Sequence, residues 1–299
     1  MFGFRPDGKR VKDIDPIQRI VPHIMRHRHD SQNYAGIDLP CEPLDAFIKE
    51  EMANGNGTYN YMHIIIAGIV RILALYPRLN RFIMNGRIFR RNAINVSFVV
   101  KKGMSADAAE TTVKLDFTGL ETISQVRDKV NAAIAANNNL EADNGTDKLA
   151  RIITCTPNII IALLVGIIKC LDKHGLLPMS IINVSPFHTS AFVTNLKSIK
   201  GPSIFHHLYD FGNTGIFFSM GKEGLVPVVE GGKVVAGKRM PFQIVTDERF
   251  CDGFYFVSAL KVLKDLYTNP AQMKEPLNAL TEDVPVTNGH HSSKHSQTR

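Results

Sequence analysis

Near the carboxyl end of the chain, residues 246–254 read TDERFCDGF, and this segment is the most informative about the fold. Residues before it, Pro241 to Thr246, have the apolar and β-branched character of a strand. Residues after it, Phe254 to Leu266, repeat apolar side chains at the spacing of an amphipathic helix. Asp252 and Gly253 therefore stand where a strand ends and the last helix begins.

Strand and helix patterns mix along the rest of the chain without strict βαβ alternation. The sequence predicts a long apolar helix over Tyr61–Tyr76 and a hairpin that turns at Asn85-Gly86. It predicts strands at 94–100, 111–117, 181–184, 191–196, 216–220, 225–229, 233–235 and 241–246. This pattern favours an α/β fold, a two-layer sandwich with a mixed β-sheet.

Composition places the chain among ordinary globular proteins. Its 299 residues are 44% apolar and 21% charged, which excludes a mainly disordered chain, a collagen and a disulfide scaffold. The first twelve residues have no apolar core and are not a signal peptide. The most apolar run, Ile159–Ile168, is about half of the ~20 residues that a membrane span needs. We therefore expect this run to be a buried core helix in a soluble, cytoplasmic protein that has no membrane partner.

Cysteines and basic residues give no sign of a metal or of nucleic acid. The four cysteines, at 41, 155, 170 and 251, form no C-x-x-C pair, and their sparse use fits a reducing compartment. The net charge of +7 comes from scattered basic residues, several of them in the N-terminal arm and the tail, without interleaved aromatic residues. We expect no metal site and no nucleic-acid partner. The predicted organisation is an arm at 1–13, one domain at 14–277 and a polar, disordered tail at 278–299.

Two adjacent histidines are candidate functional residues. His206 and His207 stand inside the apolar and aromatic segment IFHHLY, residues 204–209, where an imidazole is costly to bury without partners. A role in a site and a structural hydrogen-bonding role both remain open for them.

The TDERFCDGF stretch resembles the C-terminal H-x-x-x-D-G motif of the chloramphenicol acetyltransferase and dihydrolipoyl acyltransferase superfamily. Asp252 and Gly253 fill the D-G positions, and Asp247 and Arg249 match residues that flank the dihydrolipoyl form of the motif. Residues 191–196, AFVTNL, resemble the family strand F-T-I-S-N-L. The resemblance covers roughly residues 14 to 270 and is closest to short stand-alone members, which lack lipoyl and subunit-binding domains.

The resemblance implies both a fold and a chemistry. The fold would be chloramphenicol acetyltransferase-like and form a homotrimer, with the active site between subunits. The reaction would move an acyl group between a CoA thioester, which is a substrate, and a small thiol or hydroxyl acceptor, without a covalently bound cofactor. The family's oxyanion-binding hydroxyl maps onto Thr194. The family's structural aspartate maps onto Asp252, which would form an ion pair with Arg19 or Arg26.

One position departs from the family pattern, because the motif histidine maps onto Glu248. That histidine is the general base, and a positioned base contributes ~10²–10⁴-fold to the rate. Glu248 is then an unusual base or a structural ion-pair partner, and His206 and His207 are the best replacement proton acceptors. Two functions follow: an acyltransferase with rearranged catalytic residues, or a non-catalytic trimeric binding or scaffold protein.

Overall fold

The computed structural model describes residues 5–101, 110–137 and 155–283. The helices are α1 (Pro16–Ile24), α2 (Cys41–Ala53), α3 (Tyr61–Leu75), α4 (Ile123–Asn137), α5 (Asn158–His174), α6 (Met179–Val184) and α7 (Gly253–Thr268). The strands are β1 (Gly8–Arg10), β2 (Gln32–Pro40), β3 (Arg81–Met84), β4 (Arg87–Arg91), β5 (Ile94–Lys101), β6 (Glu110–Phe117), β7 (Ala191–Asn195), β8 (Ile216–Met220), β9 (Gly224–Glu230) and β10 (Lys233–Asp247).

A mixed sheet forms the centre of the described chain. Its strands lie in the order β2-β10-β8-β7-β5-β6, and β9 pairs with the first half of β10. Strand β7 runs parallel to both β5 and β8, whereas the other pairs are antiparallel. A smaller sheet has the order β1-β4-β3. The mixed α/β architecture predicted from the sequence is confirmed.

Local sequence signals set several element boundaries. The Asn60 side chain accepts a hydrogen bond from the His63 backbone while His63 Nδ1 accepts one from the Asn60 backbone, which caps the start of α3. Pro77 follows the end of the same helix. Asn85 and Gly86 have φ angles of 51° and 67°, as a two-residue hairpin turn requires.

The two faces of the sheet have different partners. On the inner face, alternate strand residues such as Phe98, Phe218 and Phe242 join the main hydrophobic core with α3, which packs between α4 and α7. On the outer face, Phe192 and Phe217 form a second apolar cluster with Leu208 and Val245. Since Leu208 lies between β7 and β8, this connection covers part of the outer face.

The apolar run that was predicted to be a buried core helix lies on α5 and is largely exposed, so that prediction is wrong. Ile159 is 79% exposed, Leu163 63% and Ile167 46%. An apolar run on a helix shows that some surface must be covered but does not identify what covers it. Within the described residues, no helix combines the length and the apolar character needed to cross a membrane.

Smaller departures have local causes. Residues 181–184, predicted as a strand, belong to α6, because an apolar run of this length fits a strand or a helix equally well. The two strands predicted at 233–235 and 241–246 are one continuous strand, β10. Lys9 of the predicted arm lies in β1, and Asp283 of the predicted tail pairs with Arg81. Residues 284–299 of the predicted tail lie outside the described residues.

Candidate functional site

Thr194 belongs to a row of polar side chains on the outer face of the sheet. Thr194 on β7 pairs with Ser219 on β8, and Ser219 pairs with Gln243 on β10. These residues share a face because each lies at an alternate position to the inward-facing core residues of its strand. Ser219 Oγ accepts a hydrogen bond from the Ile204 backbone at 3.2 Å. The row therefore brings hydrogen-bonding groups to a sheet face that is otherwise apolar at Phe192 and Phe217.

Gln243 is the partly satisfied member of this row. Its Nε2 donates to Ser203 Oγ at 3.2 Å, while its Oε1 is buried and has no hydrogen-bond partner among the described residues. Gly36 pairs with Gln243, and a Cβ at this glycine would lie 2.6 Å from that oxygen. The amide thus occupies space that any larger residue at position 36 would fill.

His206 lies flat on the same outer face. Its ring stacks on Phe217 with centroids 3.9 Å apart and on His207 at 4.6 Å. Phe217 in turn stacks on Phe192, which is two residues before Thr194 on the same face. In the parallel register of β7 and β8, Thr194 and Phe217 are diagonal neighbours, about 8 Å apart. The structure therefore places His206 and Thr194 on one surface of one chain.

Hydrogen bonding assigns the tautomer of His206. Its Nδ1 lies 2.8 Å from the backbone oxygen of His207. Because a carbonyl oxygen only accepts hydrogen bonds, Nδ1 carries the proton and Nε2 keeps its lone pair. Burial lowers the pKa of His206 and the charge of His207 acts in the same direction, against the opposing effect of the backbone hydrogen bond. The ring is therefore a neutral imidazole at neutral pH and can accept a proton at Nε2.

Glu248 lies in a different place. It is exposed in the turn after β10, where its Oε2 accepts a hydrogen bond from Asn33 Nδ2 at 2.9 Å. The residue before it, Asp247, is two strands away from Thr194 and four residues beyond the Thr194–Ser219–Gln243 row. Two strand spacings across the sheet and four residues along the strand together separate Asp247 from Thr194 by roughly 16 Å. Within one chain, the structure does not bring Glu248 and Thr194 together.

A buried ion pair fixes the backbone on both sides of Glu248. Asp247 accepts hydrogen bonds from Arg249 Nε at 2.8 Å and Nη2 at 2.6 Å, and both side chains are almost fully buried. Arg249 Nη1 also donates to the backbone oxygen of Met25 at 2.9 Å. The turn is therefore tied to the end of α1, a connection that the flanking match of Asp247 and Arg249 to the family motif did not reveal.

Asp252 does not have the partner expected for it. Its carboxylate caps α7 by accepting from the Tyr255 backbone at 2.8 Å, and it lies 3.7 Å from Arg78. Neither Arg19 nor Arg26, the predicted partners, forms this contact; the contact to the N-terminal region is made by Arg249, which bonds to Met25. Asp252 is thus a helix cap with one exposed basic neighbour.

One group in the described part of the chain has the geometry to hold a metal ion. His27 Nδ1 and His29 Nδ1 lie 3.3 Å and 3.6 Å from the same oxygen of Asp210. Arg28, between the two histidines, donates its backbone N–H to the other oxygen of Asp210 at 2.9 Å. Attraction between imidazole and carboxylate accounts for the arrangement without a metal, so this group adds nothing to the site on the sheet.

The sequence predicted Thr194, His206 and Glu248 as site residues, whereas Ser219 and Gln243 of the row were not predicted. Ser219 carried a usable signal, because it is the polar residue in the strand IFFSM. Its neighbours across the sheet depend on strand order and register, which the local pattern does not contain.

Comparisons with known proteins agree with the fold. No family model matches this chain, and no curated protein matches it. Among solved structures, a probable dihydrolipoamide acetyltransferase from Listeria monocytogenes is similar at a TM-score of 0.55 and 11% identity, over 91% of this chain and 99% of that one. The dihydrolipoamide acetyltransferase of Azotobacter vinelandii gives 0.54 and 13%, over 89% and 94%. A chloramphenicol acetyltransferase gives 0.53 and 11%, over 87% and 99%.

At these identities the likeness is one of fold. The chain has the fold of the chloramphenicol acetyltransferase and dihydrolipoyl acyltransferase catalytic domains, as its C-terminal motif indicated.

Proposed function

We propose that this protein is a CoA-dependent acyltransferase in which Thr194 and His206 replace the usual catalytic arrangement. The observation that carries the proposal is the His206 ring, a neutral imidazole whose Nδ1 is held by a carbonyl and whose sheet face also presents Thr194. The fold supports the reaction class, since the similar solved structures are those of acetyltransferases.

In the proposed reaction, His206 Nε2 takes the proton of a thiol or hydroxyl acceptor while the acceptor attacks the thioester carbonyl carbon. The Thr194 hydroxyl donates a hydrogen bond to the oxyanion of the tetrahedral intermediate. The carbon–sulfur bond then breaks, and the CoA thiolate recovers a proton from the His206 imidazolium. Protons and electron pairs balance, and the acyl group ends on the acceptor.

His206 fits the role of base better than the alternatives do. His207 is exposed and packs edge-on against Tyr209, with ring centroids 4.9 Å apart. Glu248 is exposed and its carboxylate faces Asn33. A neutral imidazole is also the more effective proton acceptor for a thiol, because its basicity lies nearer to neutral pH.

We further propose that the protein is a cytoplasmic homotrimer that uses acyl-CoA and a small acceptor. The neighbours support self-association to this extent: one of them is the cubic core of the pyruvate dehydrogenase multienzyme complex, similar at a TM-score of 0.55 and 12% identity.

A second function is favoured by the residue that replaces the motif histidine. Glu248 has a structural partner in Asn33, and its turn is held by the buried Asp247–Arg249 pair. A chain that kept the fold for binding alone would retain such a turn without a base in it. This alternative is a trimeric binding or scaffold protein.

Three variants test the proposal. Free CoA released from acetyl-CoA, with a panel of thiols and alcohols as acceptors, is measured by chromatography. We expect His206→Gln to lower kcat/KM by ~10²–10⁴-fold, because it removes the base. The matched variant His207→Gln and the variant Glu248→Gln should stay within a few-fold of wild type. Absence of turnover, combined with a higher melting temperature in the presence of acetyl-CoA, would support the binding protein instead.

A further inference from the structure

Two cavities meet where α1 packs against the hairpin that turns at Asn85-Gly86. The first measures about 580 Å³ and the second about 600 Å³, and both are bordered by Pro22 and His23 of α1 and by the hairpin turn. The helix and the hairpin touch at this point, since a Cβ at Gly86 would lie 2.5 Å from Cε1 of His23. Both volumes lie within the range of pockets that bind small ligands.

Positive charge lines the first cavity. Among the described residues, all of the charged side chains that border it are cations, namely Arg10, Lys12, Arg19 and Arg87. Three of them, Arg10, Lys12 and Arg19, have no ion-pair partner in the described part of the chain. Burial lowers the pKa of Arg10, and the charges of Arg87 and Arg19 lower it further. These side chains therefore repel one another, and an anion between them would relieve the repulsion.

The second cavity extends this positive charge. The cations that border it without an ion-pair partner within residues 5–101, 110–137 and 155–283 are Arg26, Lys169 and Lys173. Arg28 also borders it, and this guanidinium is buried and donates to the backbone oxygens of Tyr209 and Gly212 at 2.6 Å and 2.8 Å. A ligand in the second cavity thus meets cations contributed by two separate parts of the chain.

Two acids border the second cavity, and both have other partners. Asp172 lies 2.7 Å from Arg5. Asp210 accepts a hydrogen bond from the Arg28 backbone at 2.9 Å, and the same carboxylate lies 3.3 Å from His27. Since neither acid forms an ion pair with a Lys or Arg side chain that borders the cavity, the charge of those side chains remains available to an external anion.

We propose that the two cavities together bind a small soluble molecule that carries at least two phosphate groups. Arg and Lys side chains bind phosphate through charge-assisted hydrogen bonds. Arg19 borders the first cavity and Arg26 the second, and seven residues at the rise of a helix separate them by roughly 10 Å. Phosphate groups of one ligand can therefore contact cations of both cavities.

The side chains that border the cavities favour a small molecule over nucleic acid. Among the described residues, neither cavity is bordered by a Phe or Tyr ring on which a base could stack. Arg28 is 5% exposed, so an anion must enter the second cavity to approach it. Neither Thr194 nor His206 borders a cavity, so this binding is independent of the proposed function.

Isothermal titration calorimetry on the full chain tests the proposal, with inorganic tripolyphosphate as the probe and without divalent cations. We expect it to bind at least about tenfold more tightly than inorganic phosphate, because its phosphate groups contact more cations. The double variant Arg19→Gln/Arg26→Gln removes one cation from each cavity and should weaken binding by about tenfold or more. Lys169→Gln/Lys173→Gln removes two cations from the second cavity and should have a similar effect.

ATP serves as a second probe, because it carries the same triphosphate on a nucleoside. Equal affinities for ATP and tripolyphosphate would identify the phosphate chain as the recognised group. Tighter binding of ATP would identify a nucleotide as the ligand.

A matched control comes from α7. Lys261 and Lys264 are exposed and border neither cavity, so Lys261→Gln/Lys264→Gln changes the net charge equally and should bind tripolyphosphate like wild type. If Arg19→Gln/Arg26→Gln does not fold, Lys169→Gln/Lys173→Gln tests the proposal.

The proposal is overturned if the wild-type protein binds tripolyphosphate no more tightly than inorganic phosphate, or if the α7 control loses affinity equally. It is also overturned if Arg19→Gln/Arg26→Gln changes the oligomeric state in size-exclusion chromatography and leaves the affinity for tripolyphosphate unchanged. The cations would then serve a contact between copies of the chain.

Discussion

Gly68 is the point where α3 approaches the last helix most closely. A Cβ built at Gly68 would lie 2.3 Å from Cε1 of Tyr267, a distance that real Cβ contacts do not reach. Tyr267 has little room to move, because it is completely buried and its hydroxyl donates to the Ile65 backbone oxygen at 2.9 Å. The contact between the two core helices therefore depends on a single missing methyl group.

Gly68→Ala should lower the free energy of unfolding by about 1–3 kcal/mol, because the added methyl overpacks a closed core. The matched control is Gly166→Ala on α5, where a Cβ meets no atom within 4 Å. This control should be neutral or stabilising by up to about 1 kcal/mol, since alanine has the higher helix propensity. Urea denaturation measures both variants, and equal shifts in the two midpoints would contradict the packing argument.

A buried ionic network connects several elements to the start of the chain. Arg5 bonds to Asp7 through Nε and to Asp172 at the end of α5 through Nη2, at 2.8 Å and 2.7 Å. Asp172 also lies 3.2 Å from His188 Nε2. Burial alone would raise the pKa values of Asp7 and Asp172, but the hydrogen bonds and charge of Arg5, together with those of His188 on Asp172, outweigh it and lower both. Residues 5–10, predicted as part of an arm, thus anchor β1 and α5.

Arg5→Ala should destabilise the protein by about 3–5 kcal/mol at pH 7, because it leaves two carboxylates buried without their cation. The pKa values of Asp7 and Asp172 are lowered in the folded state. Their contribution to the free energy of unfolding is therefore complete above about pH 4 and is lost as the pH falls through the folded-state pKa values. The deficit of the variant should therefore shrink below about pH 4.

Chemical denaturation at a series of pH values measures this change. Lys238→Ala is the control, because it breaks an ion pair with Asp45 in which both side chains are substantially exposed. That loss should stay below about 1 kcal/mol. A deficit for Arg5→Ala that is the same at pH 7 and pH 3 would show that the ionic network is not its cause.

Local patterns predicted the elements well where their signals were local. The Asn85-Gly86 turn needs two left-handed residues, and the sequence supplies the two residue types that tolerate them. The strand predicted at residues 181–184 was wrong because this apolar run is too short to distinguish a strand from a helix. The prediction that α5 is buried was wrong for another reason. Its apolar residues do form a helical stripe, but which part of the protein faces that stripe depends on the tertiary structure.

At the scale of the whole molecule, the candidate site combines what the sequence can and cannot predict. Thr194 was predicted as a site residue because its strand resembles a family strand. That Thr194 and His206 lie on the same sheet face was not predictable, because it depends on the parallel pairing of β7 with β8 and on the stacking of His206 over Phe217. The same register separates Glu248 from Thr194 within one chain, so the question of which base acts is also a question of how many chains form one site.

Co-expression of Thr194→Val with His206→Gln tests this directly. If both residues act within one chain, as we propose, mixed oligomers contain no intact site and acetyl-CoA turnover stays at the level of the single variants. If the pair acts across an interface, random mixing in a closed ring restores about a quarter of the wild-type sites.

Different affinity tags on the two variants show whether the chains assemble together, and co-expression of each variant with wild type shows that mixing does not itself inhibit turnover. Recovery of about a quarter of the wild-type activity in the Thr194→Val/His206→Gln mixture would overturn the single-chain pair. The corresponding mixture of Thr194→Val with Glu248→Gln should keep substantial activity, because Glu248→Gln chains retain both proposed catalytic residues.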